Sequence, residues 1–352
     1  MCRLPSHVLR FVALAIFAMS ILPARAQEPV PCVPQPEPQQ PAIQCADFHL
    51  QNDNYFIHIV RKVGAEPKKV PILLIHGSWG NAQTWDFPGR SVMDYLAVRG
   101  YDIYAMDLRG EGDSQPIKGS VDYTRIDILS RVSDAAVVVQ YILQNTGRKP
   151  VVIGWSQGGV ITGILAFSPV TAPLVAGVGL FSVAPAGFTV PAQFIPYLPM
   201  LLSGPSVTLL EWEVNALVFG RLMSADAETS FYELSAPDID STLAIEEAAS
   251  QAFFQALLPY LFQCPASGCW GQITVPALVV DGALDPLVGG PLAQQLFDSL
   301  TGTANKQLVI FPRNAHAWFL EDNYHATVRV FDQFLSQFDA RPGGELSQNF
   351  AK

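Results

Sequence analysis

The chain has little positive charge. Its 352 residues include 21 Lys and Arg against 31 Asp and Glu, and charged residues make up only 15% of the total. An acidic surface repels both phosphate backbones and anionic lipids, so nucleic acid is excluded as a partner. The hydrophobic fraction of 49% also excludes an intrinsically disordered protein and predicts a folded domain with a large core.

Long apolar runs are scarce as well. Residues 11–22 form one, preceded by Arg3 and Arg10 and followed by Ala24-Arg25-Ala26. The run is shorter than the roughly 20 residues that span a bilayer, so we interpret residues 1–26 as a cleaved secretory signal peptide, with an uncleaved amphipathic anchor as the alternative. Its removal takes three arginines and no acids, which leaves a net charge of 18 − 31 = −13. We expect an exported protein, periplasmic or secreted from a bacterium, without stable membrane insertion.

Cysteine is rare, and no pair has the C-x-x-C spacing of a zinc site. Cys2 lies in the predicted signal peptide, which leaves Cys32, Cys45, Cys264 and Cys269. An even number in an exported chain predicts two disulfides, and the local pairing Cys32–Cys45 with Cys264–Cys269 is the simplest of three. Two reduced thiol pairs remain the alternative. No metal site is predicted.

The order of elements predicts an α/β fold. A Pro- and Gln-rich leader covers residues 27–45, and short apolar strands then alternate with helices over 46–186 and 272–340. Such alternation is typical of a doubly wound, mostly parallel sheet covered by helices on both faces. It fails over 187–271, which we interpret as an inserted helical cap, and residues 341–352 form a tail. The predicted strands are 46–51, 55–63, 70–75, 102–106, 150–153, 175–183, 275–280 and 307–311, and the predicted helices are 126–144, 157–167, 291–300 and 324–338.

A serine lies on a turn between a strand and a helix, in Gly154-Trp155-Ser156-Gln157-Gly158-Gly159. Flanking glycines allow the backbone to approach closely at such a turn, which exposes the serine hydroxyl. A plain glycine-rich turn is the alternative interpretation. We predict Ser156 as a nucleophile.

A serine hydroxyl needs a general base. Of the six histidines, His316 follows the last predicted strand and precedes the last helix, which places it at the edge of the sheet where parallel sheets build their sites. His76 precedes a loop that it is better placed to brace, and His325 lies in a helix. We predict His316 as the base, against a structural role in its loop.

The base in turn needs a carboxylate that fixes its tautomer. Asp285 lies on the turn after the strand 275–280, from which it can reach His316. Asp281, at the end of that strand, is the second candidate. Along the chain the three residues come in the order nucleophile, carboxylate, base. Serine triads of different folds have different orders, and this order is typical of one of them.

Two backbone N–H groups are expected to stabilise a developing oxyanion. The amide of Gln157, at a helix start, is one candidate. The other comes from the loop after residues 70–75, at Ser78 or Trp79 in His76-Gly77-Ser78-Trp79-Gly80. A simple turn that ends the strand is the alternative for this loop.

With these motifs in order, the chain resembles the α/β-hydrolase fold family, which includes esterases, lipases, epoxide hydrolases, dehalogenases and cofactor-free haloperoxidases. The matching stretches are His76-Gly77, the loop 107–114, residues 154–158, Gly282-x-x-Asp285 and His316. The family often has His where Glu111 stands. The resemblance covers about residues 46–340, and in the cap no motif matches.

The resemblance implies a serine esterase or lipase-like enzyme, because epoxide hydrolases and dehalogenases of this family carry Asp at the nucleophile position. We expect an acyl-enzyme on Ser156 formed from a carboxylic ester (less often an amide, thioester or lactone), with no cofactor. A cofactor-free haloperoxidase or a C–C bond hydrolase could use the same residues. A non-catalytic ligand-binding protein is the alternative from another class.

The cap is rich in aromatic residues. If some of them line the site, the substrate is a small apolar ester-like molecule, although most such residues form core between cap helices. The aromatic residues concerned are Phe188, Phe194, Tyr197, Trp212, Phe253, Phe254 and Trp270.

Overall fold

The computed structural model describes residues 43–185 and 269–339, except 65, 66, 68, 79, 88, 122–125, 286 and 322, and two short strands at 207–208 and 246–247. The predicted signal peptide, almost all of the leader, nearly the whole cap and the C-terminal tail lie outside the described residues. Cys45 and Cys269 are described but Cys32 and Cys264 are not, so the pairing of the cysteines stays a prediction.

An eight-stranded sheet forms the centre of the fold. Its strands are β1 (Ile43–Asn52), β2 (Tyr55–Gly64), β3 (Pro71–Ile75), β4 (Asp102–Met106), β5 (Val151–Trp155), β6 (Gly177–Phe181), β9 (Ala277–Gly282) and β10 (Lys306–Phe311), and β7 (Val207–Thr208) and β8 (Glu246–Glu247) form a separate antiparallel pair. The strand order in the sheet is β1-β2-β4-β3-β5-β6-β9-β10. Strand β2 runs antiparallel to both of its neighbours, and every other pairing in this sheet is parallel. The predicted mostly parallel, doubly wound sheet is confirmed.

Helices cover both faces of this sheet, and each face has its own apolar core. The helices are α1 (Val92–Ala97), α2 (Ile128–Thr146), α3 (Gln157–Phe167), α4 (Gly289–Ser299), α5 (Tyr324–Thr327) and α6 (Arg329–Leu335). One core includes α2, α3 and α4, and the other includes α1, α5 and α6. No described helix has the length and apolar character that a membrane crossing requires.

Helix α2 shows how the sequence sets an element's bounds. The Asp127 carboxylate accepts a hydrogen bond from the Ser130 amide, and the Ser130 hydroxyl accepts one from the Asp127 amide. This reciprocal cap satisfies two N–H groups that a helix start leaves unpaired. Gly147 then ends the helix in the left-handed conformation, at φ 67°.

The structure differs from the predicted elements in several places, and the strand pair β7 and β8 lies in the cap that was predicted to be helical. Strand β1 begins at Ile43 because it pairs along its whole length with β2, Ile43 lying opposite Gly64. Helix α1 was not predicted, since six residues are too few to show a helical period. The predicted last helix is divided at Val328 into α5 and α6 and ends in a 3-10 turn.

Trp270, one of the aromatic residues assigned to the cap, packs on the main domain. It is 3% exposed, its ring lies edge-on to Phe167 of α3, and its Nε1 donates to the Pro185 carbonyl at 2.8 Å. A Cβ on Gly163 would lie 2.3 Å from this ring, so the absence of a side chain there makes room for the tryptophan. Trp270 is therefore core of the main domain, whereas the other aromatic residues assigned to the cap lie outside the described residues.

A buried ionic cluster ties β2 to the loop after β4. His58 Nδ1 lies 2.8 Å from Asp107 Oδ2, and His58 Nε2 lies 2.9 Å from Asp47 Oδ1. Asp107 also accepts the amides of Ala82 and Asp113 at 2.6 and 2.8 Å. His58, Asp107 and Asp113 have the ligand types and spacing of a metal site, but hydrogen bonds already engage both ring nitrogens and the Asp107 carboxylate. The cluster is thus accounted for as a structural brace.

This cluster makes stability depend on pH. Burial alone would lower the pKa of His58, but hydrogen bonds and charge attraction from Asp107 and Asp47 outweigh it and raise the pKa to about 9. A raised pKa contributes stability that is complete below the ordinary value of 6.5 and is lost as pH rises through about 9. We expect the free energy of unfolding to fall by about 3 kcal/mol over this interval, measured by denaturant titration at several pH values.

The fall should largely disappear in His58→Gln, which should also be less stable than the parent at the acidic end of the interval. His325→Gln, a change on an exposed residue of α5, should keep it. An unfolding free energy of the parent that stays constant over this interval would contradict the assignment.

Candidate active site

Ser156 occupies the sharp turn between β5 and α3. Its backbone has φ 54° and ψ −118°, a left-handed conformation that is strained for a residue with a side chain. The turn is fixed by its amide, which donates to the Phe181 carbonyl of β6 at 2.8 Å, and the residue is only half-buried. The turn therefore places this serine directly after the end of β5, where the sequence predicts it.

Glycines make this turn possible because neighbouring backbone occupies the space of their missing side chains. A Cβ on Gly154 would lie 2.0 Å from the Gly158 carbonyl oxygen, and one on Gly158 would lie 2.3 Å from the Ile75 carbonyl oxygen. Both distances are far shorter than a van der Waals contact between carbon and oxygen. The two glycines of the motif thus let α3 start directly against β5 and β3.

His316 and Asp285 are brought together as predicted. His316 Nδ1 lies 2.7 Å from Asp285 Oδ2, and both side chains are buried. The other carboxylate oxygen, Oδ1, accepts the amides of Leu287 and Val288 at 2.7 and 3.2 Å. Burial opposes the charge of Asp285, but the His316 charge and these hydrogen bonds lower its pKa overall. Asp285, not Asp281, is therefore the carboxylate that is hydrogen-bonded to the His316 ring.

The backbone carbonyl of His316 is held by two donors that sequence reasoning missed. Trp155 Nε1 donates to it at 2.9 Å and Ser182 Oγ at 2.8 Å. The Trp155 ring also lies 5.3 Å from the His316 ring, centroid to centroid. Because Trp155 directly precedes Ser156, these contacts place the serine and the histidine at the same edge of the sheet. Trp155 is the variable residue of the Gly-x-Ser-x-Gly motif, so the motif itself gives no signal for this role.

The loop that carries His316 is fixed on both sides of the histidine. Glu321 Oε1 accepts the Ala315 amide at 2.6 Å, and the side chains of Asn314 and Asn323 donate to each other at 2.7 and 2.8 Å. Asn314 also donates to the Trp318 carbonyl. These hydrogen bonds fix the backbone of the loop from which the imidazole projects.

The loop that was predicted to supply an oxyanion donor passes against Ser156. A Cβ on Gly77 would lie 3.0 Å from the Ser156 Cβ, and Ser78 is half-buried beside it, while Trp79 lies outside the described residues. His76 braces the loop, as expected: its Nε2 accepts the Leu108 amide at 2.9 Å and its Nδ1 donates to the Gly77 carbonyl at 2.7 Å. Burial lowers the pKa of His76 to about 4, so the ring stays neutral and can accept.

Behind Gln157 lies a buried charge pair that the sequence did not reveal. Arg131 of α2 is 1% exposed, forms an ion pair with Glu111 at 2.6 Å, and donates to the side-chain carbonyl of Gln157. A buried arginine requires such partners. The network connects the loop 107–114 to the first residue of α3. The only signal in the sequence was Glu111 itself, which stands where the resembling family often has His.

Comparison with known proteins agrees with this geometry. A model of the alpha/beta hydrolase family matches residues 72–330, which is most of the chain. The matched interval contains Ser156, Asp285 and His316 in the order described above. The chain belongs to the alpha/beta hydrolase family.

Individual relatives match more weakly. Lipase member M of Homo sapiens is 30% identical over 146 residues, which cover 37% of this chain and 34% of that protein. Its Mus musculus counterpart is 35% identical over 118 residues, or 31% and 27% of the two chains. The chain thus matches about a third of the length of these curated relatives.

Solved structures resemble the fold over almost their whole length. A soluble variant of monoglyceride lipase from Saccharomyces cerevisiae aligns with a TM-score of 0.64 and 16% identity, covering 90% of this chain and 100% of that one. An enol-lactonase from Burkholderia xenovorans aligns at 0.61 and 17%, covering 80% and 97%. At such identities the likeness shows the fold alone.

The glycine of the serine turn can be tested with a matched pair. Gly158→Ala should lower the free energy of unfolding by about 1–3 kcal/mol, because its Cβ would meet the carbonyl oxygens of Ile75 and His76 at 2.3 and 2.4 Å. Gly290→Ala, in the first turn of α4, meets nothing closer than 3.4 Å and should be neutral or slightly stabilising. Denaturant unfolding of the two variants measures this difference, and equal effects would show that the turn tolerates a side chain.

Proposed function

We propose that the protein is a serine hydrolase that cleaves carboxylic esters through an acyl-enzyme on Ser156. The observation that carries the proposal is the Asp285–His316 hydrogen bond at the same sheet edge as the strained, half-buried Ser156. A nucleophile, a base and a carboxylate in these positions have the parts and the order needed for acyl transfer.

The first half of the reaction uses the free nitrogen of the imidazole. Asp285 occupies Nδ1 of His316, which leaves Nε2 to take the hydroxyl proton as Ser156 Oγ attacks the ester carbonyl. The resulting oxyanion accepts one hydrogen bond from the backbone amide of Gln157 and a second from that of Ser78 or Trp79. The intermediate collapses when the alcohol leaves with the proton from His316, and the acyl group remains on Ser156.

The second half repeats these steps with water. His316 takes a proton from water as the water oxygen attacks the acyl-enzyme, and it returns the proton to Ser156 Oγ when the carboxylic acid leaves. The imidazolium formed in each half is stabilised by the Asp285 carboxylate, whose pKa the surroundings lower. No step requires a metal or an organic cofactor.

The proposed substrate is a small apolar ester. The partial relatives are named lipases, and one structural neighbour is named a monoglyceride lipase. The acidic composition also disfavours a negatively charged substrate. The length of the acyl group depends on the pocket, so a series of chain lengths is the appropriate probe.

Hydrolysis of p-nitrophenyl esters of increasing acyl length tests this proposal. Ser156→Ala should lower kcat by on the order of 10³-fold or more, because it removes the nucleophile. Ser336→Ala, the same change at an exposed site, should leave kcat unchanged. In the parent, the chain length with the highest kcat/KM would give the size of the acyl pocket.

A folded parent that hydrolyses no ester would refute the proposal. Halide-dependent oxidation or cleavage of a diketone would then identify the haloperoxidase or C–C bond hydrolase reaction. Ligand binding that is unchanged in Ser156→Ala, without turnover in the parent, would identify a binding protein.

We also propose that the protein is exported and disulfide-bonded, because of the apolar run 11–22 and the even cysteine count after it. After expression with residues 1–26 in a bacterium, the mature chain should begin at Gln27. Peptide mapping without reduction should yield Cys32–Cys45 and Cys264–Cys269. An N-terminus that retains residues 1–26, or alkylation of all four thiols without reduction, would contradict export or the disulfides respectively.

A further inference from the structure

A second carboxyl group lies buried behind the proposed catalytic pair. Asp281, near the end of β9, is 0% exposed, and its Oδ1 accepts the Gly282 amide at 2.8 Å. Its Oδ2 has no hydrogen-bond donor in the described part of the chain. An ionised carboxylate is poorly accommodated in such a place, because burial removes water and the single Gly282 amide replaces only part of it.

The turn after β9 brings Asp285 back to this carboxyl group. The Asp285 amide donates to the Gly282 carbonyl at 3.1 Å, and the side chains of Asp281 and Asp285 interact directly with each other. Two carboxyl groups can share a hydrogen bond only if one of them keeps its proton. The question is therefore which of the two is neutral.

The surroundings assign the proton to Asp281. Asp285 receives hydrogen bonds from the Leu287 and Val288 amides, and its other oxygen faces His316, so every partner favours its anion. The Ser182 hydroxyl also lies beside Asp281, but it has a single proton and donates it to the His316 carbonyl at 2.8 Å.

The electrostatics of the pair agree with this assignment. Burial and the neighbouring Asp285 charge raise the pKa of Asp281, whereas that of Asp285 is lowered despite its burial. The charged groups that act most strongly here are Asp285 on Asp281, and His316 on Asp285.

We propose that Asp281 is a positioning residue that stays protonated and donates its hydrogen bond to Asp285, which keeps Asp285 anionic and aligned with His316. It acts through Asp285 and does not touch the substrate. The inference deepens the proposed function, since a fixed anion at Asp285 is what the proposed general base requires.

The protonation state can be measured without turnover. Replacing Asp281 by Asn removes a negative charge only if Asp281 is ionised, so the midpoint of the His316 titration, followed by NMR on isotope-labelled histidine and assigned with His316→Gln, reports its state. A neutral Asp281 predicts a midpoint that is unchanged in Asp281→Asn. A midpoint lowered by about one unit or more would show an ionised Asp281 and overturn the proposal.

The positioning role is measured by kinetics. Asp281→Leu removes the donor but keeps the branching and the number of side-chain heavy atoms, and it should lower kcat about 10-fold with little change in KM, because a hydrogen bond to a charged group is lost. Asp281→Asn keeps an N–H donor and should restore most of kcat. Asp298→Asn, on an exposed residue of α4, is the matched control. Equal kcat in the parent, Asn and Leu enzymes would overturn the role.

These measurements separate the two proposals. If the parent hydrolyses no ester, the proposed function fails, yet the NMR titration still decides whether Asp281 is neutral. If the Leu enzyme does not fold, the Asn enzyme and its titration still decide. If the parent is active and the titration midpoint moves in Asp281→Asn, only the inference about Asp281 fails.

Discussion

The site depends on one strained backbone position. Ser156 has a positive φ, and the turn can keep this conformation because strands β5 and β3 and helix α3 leave no room for it to relax. The same close packing requires glycine at positions 154 and 158. Sheet, turn and helix therefore fix one another, and the position of the serine hydroxyl follows from the fold as a whole.

The rest of the site is held around this point by hydrogen bonds to main-chain and side-chain groups. The His316 carbonyl accepts two side-chain donors, the amide of the preceding residue donates to the Glu321 carboxylate, and the His316 ring is hydrogen-bonded to the Asp285 carboxylate. Arg131 reaches the residue after Ser156 from a helix on one face of the sheet. His316 and Gln157 are thus positioned partly by groups that no motif specifies, such as Ser182, Glu321 and Arg131.

The difference between what the sequence predicted and what it did not has a physical basis. Ser156, His316 and Asp285 were predictable because strand ends and glycine turns leave local patterns, and parallel strands bring their ends together. The roles of Trp155, Ser182 and Arg131 were not, because they depend on contacts between residues far apart in the chain. Helix α1 and the division between α5 and α6 were not predicted for a different reason. These short helices are stabilised by packing, and they contain too few residues to show a helical period in the sequence.

The connection between β6 and β9 has a consequence for how this protein could change. The chain leaves the sheet after Phe181 and returns at Ala277 in the neighbouring strand, and the two strands pair directly. The part of this connection between Pro185 and Cys269 can lengthen, shorten or be exchanged while the hydrogen-bond register of the sheet stays the same, because Ser182 and Trp270, which contact the main domain, lie outside that part. A change confined to that part of the chain therefore leaves Ser156, Asp285 and His316 at the same edge of the sheet.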